Sequence, residues 1–115
     1  MTAPRFHALE AQTSLARFAK TTVKPTDRWN HPDHAHETTG TLVAVAELLA
    51  RGIEQTGALI GRLDVDGKLT HDQGDLPAAL EEIRILTDDA AGHAEEMAKT
   101  LKRLESVLAR LGHRN

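Results

Sequence analysis

The sequence predicts an all-α fold. A long C-terminal helix forms an antiparallel helical hairpin with the helix before it, one N-terminal helix precedes them, and dimerisation completes the helical bundle. Three observations carry this. From Leu76 to Leu111, apolar residues recur at alternating steps of four and three: Leu76, Leu80, Ile83, Thr87, Ala90, Ala94, Met97, Leu101, Leu104, Leu108, Leu111, of which only Thr87 is polar. That is the seam of a coiled-coil heptad, and the adjacent charged pairs Glu81-Glu82 and Asp88-Asp89 exclude strand alternation. The same stepping runs through Leu42, Val45, Leu49, Gly52, Thr56, Leu59 and Leu63, and Asp66-Gly67 between the two stretches is a turn signal.

The 115 residues make one domain over 1-115. In chain order, the first helix covers 3–23, with Phe6, Leu9, Leu15, Phe18, Ala19 and Val23 as apolar positions. The β-branched run Thr21-Thr22-Val23 and Pro25 end it. A linker over 24–40 follows, with Pro25, Pro32 and Gly40 and no periodicity, long enough to wrap the bundle or cross to another copy. The second helix covers 41–63, capped by Thr38, Thr39 or Thr41, with Leu48, Ile53 and Ile60 widening its apolar stripe. Gly52, Gly57 and Gly61 weaken a helix, and close approach to a neighbour would explain them. The turn covers 64–75. Asp75 is positioned to cap the long helix of 76–111, with Pro77 in its first turn.

The long helix is acidic in its first half (Glu81, Glu82, Asp88, Asp89, Glu95 and Glu96 against Arg84). It is basic in its second half (Lys99, Lys102, Arg103 and Arg110 against Glu105). This compensates the helix dipole, and an antiparallel self-pair would set the two halves in opposition. On these boundaries the second helix spans about 34 Å and the third about 54 Å. The tail positions Leu101, Leu104, Leu108 and Leu111 are then left for the first helix or a second chain, with Phe6 and Phe18 as the covering face. Trp29, alone in a polar linker, either tucks over a helix groove or meets a partner.

Composition removes several function classes. There is no Cys, hence no disulfide framework, thiolate site or Cys nucleophile. Net charge is −3, which gives no general attraction to nucleic acid or acidic membranes. The N-terminus has no apolar signal core, and Glu47, Arg51 and Glu54 interrupt the most apolar stretch, so a cytoplasmic protein without a membrane span is expected. Ala, Leu, Arg and Asp usage with little Lys fits a GC-rich bacterial source.

Among sites, His31, His34 and His36 stand close in the linker with Asp33 and Glu37 beside them. Neutral imidazoles in such a cluster suit a divalent transition metal. Asp64-Val65-Asp66-Gly67-Lys68-Leu69 resembles the middle of an EF-hand calcium loop, but Arg62 and Gln73 occupy the first and last ligand positions. No catalytic grouping stands out: His7 with Glu10 and His93 with Glu96 have the reverse of the di-iron order, and Ser14 and Ser106 are isolated. A small Cys-free helical hairpin is similar in architecture to type VII secretion substrates. The W-x-G turn of that family is missing here, because Trp29 is followed by Asn30-His31. The reading is therefore a non-enzymatic helical interaction module (adaptor, inhibitor or assembly factor), a homodimer with a further protein partner and no cofactor. A metal-binding protein using the His31/His34/His36 loop, or a DNA-associated accessory factor using the basic end, are the alternatives.

Overall fold

Pro4 and Pro32 each open a helix, because a proline's fixed φ and missing N–H cost nothing in a first turn. The computed structural model describes residues 3–114 and contains three helices: α1 (Pro4–Thr21), α2 (Pro32–Val65) and α3 (Leu76–Leu108). α1 stops at Thr21, where Thr21 and Thr22 turn their hydroxyls back to the Phe18 carbonyl. The chain then folds into a small turn in which Thr26 and Trp29 exchange backbone hydrogen bonds of 3.2 and 2.9 Å.

α2 begins nine residues earlier than the sequence reading placed it, at Pro32 rather than Thr41. The reason is an N-terminal cap made of histidines. The His31 ring accepts the Asp33 N–H, and the His34 ring accepts the N–H groups of His31 and Asn30, each at 3.2 Å. A neutral imidazole nitrogen replaces the usual Ser and Glu oxygens of a capping box. The Thr residues expected as caps lie inside the helix instead, and Thr39 is buried with its hydroxyl bonded to Ala35 O at 2.7 Å. The seventeen-residue linker of the sequence reading is thus cut to the short connection 22–31.

α2 ends at the expected turn, where Gly67 and Gly74 take positive φ of 66° and 76° that a side chain would disfavour. Asp75 sits at the N-cap of α3 but makes no side-chain cap bond. The turn is tied instead by the His71 ring, which accepts the N–H groups of Gln73 and Asp75. α3 ends at Leu108, so Leu111 lies past the helix in a short turn bonded back to it.

α2 packs against α3 as an antiparallel hairpin; this is the only helix–helix packing among the described residues. With 34 and 33 residues the two helices match in length, about 50 Å each. The expected mismatch of some 20 Å does not exist: the early start of α2 carries it to the end of α3, where the rings of His31 and His113 lie 4.4 Å apart. The first helix, expected as one of two covers for the tail, makes no packing contact with α2 or α3. Its Phe18 meets Trp29 edge-to-face at 6.0 Å.

The core is small-residue. Val43, Ala46 and Ala50 of α2 meet Ala91, Ala94 and Ala98 of α3. On α2 the inward positions are Thr39, Val43, Ala46, Ala50, Ile53, Gly57 and Ile60; on α3 they are Thr87, Ala91, Ala94, Ala98, Leu101, Glu105 and Leu108. Both series step by four and three, as the sequence reading required, but in a different phase. Gly57 is the one member of the glycine trio that faces a close neighbour, since a Cβ there would lie 3.0 Å from the Thr87 hydroxyl. Gly52 and Gly61 face open space.

Candidate interaction surface

The phase of the core decides what remains outside. Residues of a helix seven apart share a column, and columns three or four apart form a stripe. On α2, the stripe of Leu42, Val45, Leu49, Gly52, Thr56, Leu59 and Leu63 lies about 100° from the inward stripe, counted at 100° per residue. On α3, the stripe of Ile83, Leu86, Ala90, His93, Met97, Thr100, Leu104 and Val107 lies about 100° from its inward stripe, in the same rotational sense. Because the helices are antiparallel, equal sense places both stripes on one side of the hairpin. That side is apolar and open: Leu49 is 49% exposed, and Leu86, Met97, Leu104 and Val107 run from 46% to 61%.

The opposite side is polar. One groove between the helices is lined by Glu47, Arg51, Glu54, Glu95, Lys99 and Lys102 around the inward alanines, and Lys102 pairs with Glu47 across it at 3.6 Å. Further along, the Arg84 guanidinium binds Glu81 through two nitrogens, at 2.7 and 3.2 Å, and reaches Asp88 at 3.2 Å. The Arg84 hydrogen bond, then its charge, holds the Glu81 carboxyl below the usual carboxylate range, and Glu81 raises Arg84 in return. Neither group is buried, so this is surface organisation.

The four tail leucines are divided by the structure. Leu101 and Leu108 are half-buried in the hairpin, whereas Leu104 and Leu111 are 46% and 53% exposed. Phe6 is 52% exposed and covers nothing in the described chain. Phe18 and Trp29 are half-buried against each other. The histidines expected to share a loop open α2 instead: His31 is the cap, His34 lies on the first turn with its ring 5.9 Å from that of His31, and His36, two residues on, points to the other side of the helix. The Nδ1 nitrogens of His31 and His34 accept backbone N–H groups. The ring of His113 also meets His31, which spacing alone could not reveal because it arrives from the other end of the chain. Among the described residues, no three His, Cys, Asp or Glu side chains are grouped to hold a metal ion. Asp64 of the EF-hand-like stretch lies within α2.

Among the described residues, no helix is long and apolar enough to cross a membrane. The chain matches no protein-family model, no curated protein and no solved structure.

Proposed function

We propose that this chain is a small non-enzymatic helical interaction module, an adaptor, inhibitor or assembly factor of the cytoplasm. It acts through helix–helix contacts made by the open apolar side of the α2–α3 hairpin, and forms a homodimer. The observation that carries this reading is the open side itself. Two helices about 9 Å apart, each about 10 Å wide and presenting some 35 Å of stripe, give a footprint of roughly 650 Å², within the range of one partner's share of a standard interface. The polar side offers no comparable surface, being occupied by ion pairs.

The test is cross-linking in living cells from a photoreactive residue placed at Met97 on the open side, with the same residue at Arg51 on the polar side as control. The reading expects discrete adducts from position 97 and none from 51. Adducts from neither, or equally from both, would remove its basis.

A further inference from the structure

Resting on that reading, we infer which occupant covers the open side and how: a second copy, with α3 antiparallel to its counterpart and the two-fold axis passing close to Glu96. Two independent features point there. The first is angular. In a four-helix bundle each helix touches two neighbours roughly 90° apart. Both α2 and α3 carry two heptad stripes about 100° apart, one spent on the hairpin and the other open. Two hairpins laid open side to open side satisfy both stripes on all four helices.

The second feature is charge. Along the outer edge of the open stripe of α3 runs a single heptad column, Glu82, Asp89, Glu96 and Arg103, with Arg110 at the same spacing in the turn just past the helix. Its signs change once, from acid to base, and its centre is Glu96. Reversed on itself about that centre, the column sets Glu82 against Arg110 and Asp89 against Arg103, twice each by symmetry, and Glu96 against its own copy. The one like-charged meeting is already relieved within the chain, because Lys99 holds Glu96 at 3.1 Å. A parallel self-pair would instead set every charge against its like.

The matching edge of α2 supports the same arrangement. Its column is Thr41, Leu48, Gln55 and Arg62. Glu47 stands beside Lys102 and Gly57 beside Thr87, so the level of Glu96 falls near residue 51 of α2. Reversal about that level pairs Thr41 with Arg62 and Leu48 with Gln55, and no like charges meet. The rival two-fold, parallel to the helices, stacks α2 over α3 of the second copy and leaves the α3 column without its complement. Charge therefore selects one of the two possible bundles.

The chain has no Cys, so single labels are clean. Nitroxide labels on Glu96→Cys and, separately, Glu82→Cys would be measured by pulsed electron resonance, with sedimentation confirming mass. The inference expects a dimer, a short distance of roughly 10–20 Å at 96, and about 42 Å at 82 from twice fourteen residues of helical rise. Equal distances at 82 and 96 would overturn it in favour of a parallel pair or the rival two-fold. A monomer at every concentration would also overturn it. The reading of the open side as an interaction surface then stands or falls separately, on whether the position-97 adducts contain a different protein. As a check on the edge pairs, Arg103→Glu should lower the dimerisation constant several-fold and added Asp89→Arg should restore it. A double variant no better than the single would sink the register.

Discussion

Gly57 and Gly61 lie four residues apart on α2 and differ in what a side chain would meet there. A Cβ at Gly61 has nothing within 4 Å, whereas a Cβ at Gly57 would sit 3.0 Å from Oγ1, 3.3 Å from Cβ and 3.3 Å from Cγ2 of Thr87. Thr87 is poorly placed to yield, because its hydroxyl donates to Ile83 O at 2.6 Å and its β-branch leaves few rotamers. Replacing Gly by Ala gains up to about 1 kcal/mol of helix propensity at either site. At Gly57 the overpacking term, about 1–3 kcal/mol, opposes that gain. Gly61→Ala should therefore stabilise the protein by about 0.5–1 kcal/mol, and Gly57→Ala should fall about 1–3 kcal/mol below it. Urea denaturation followed by circular dichroism measures both. Thr87→Ala removes the hydroxyl and methyl that obstruct, so in a double-mutant cycle it should restore most of the difference. Equal effects at the two glycines, or no coupling to Thr87, would refute the close contact and with it the phase of the hairpin.

Three further outcomes follow from local geometry. His34→Ala removes the acceptor for the N–H groups of Asn30 and His31 and should cost about 0.5–1 kcal/mol in urea denaturation, with amide exchange rising at the start of α2. Arg84→Gln removes the hydrogen bond and charge that depress Glu81. The Glu81 titration followed by NMR should then move up toward the ordinary carboxylate range. With Arg84 present, the small stabilisation from this pair is held above the unfolded-state pKa of Glu81 and fades as pH falls through its lowered folded value. Phe18→Ala strips the edge-to-face contact from Trp29 and should red-shift the fluorescence of the chain's one tryptophan. It should leave the hairpin's denaturation midpoint in place, because α1 does not pack on α2 or α3.

Period was legible in the sequence and phase was not. An apolar stripe wide enough for two neighbours spans adjacent heptad columns, and any alternating four-three path through it fits. The path read along α3 through Ala90, Met97 and Leu104 ran between the two stripes. It took one column from the open side and another, Ala94, Leu101 and Leu108, from the hairpin. On α2 the path through Leu42, Leu49 and Leu59 was the open stripe itself, because leucines outscore the alanines that the hairpin buries. The start of α2 was hidden for a different reason. A Pro followed by polar residues and threonines reads as loop until the His31 and His34 rings are seen to act as caps. That one boundary carried the length mismatch, and the argument for an uncovered tail went with it. The hairpin, its turn at Asp66-Gly67 and the polarity of α3 were fixed by strictly local signals and hold.

Size ordering across the hairpin bears on how folding and association relate. Among the described residues the buried positions are five alanines, one valine and one threonine, while Leu49, Leu59, Leu86, Met97 and Leu104 stand exposed on the open side. A buried alanine removes little apolar area from water, and these five larger side chains, which would contribute about 1.5–3 kcal/mol each when buried, are left solvated in a single copy. Folding and association are then linked: a complex that covers the open side stabilises the hairpin, and dilution withdraws that stabilisation. For a two-chain unit, a 100-fold dilution is worth about 2.7 kcal/mol, and unfolding entropy of about 2.1 cal/mol/K per residue over both chains converts it to a fall in Tm of about 6 °C. Thermal melts by circular dichroism over that concentration range measure it. An unchanged Tm would mean that the alanine stripe suffices on its own and that the open side contributes nothing to the stability of the fold.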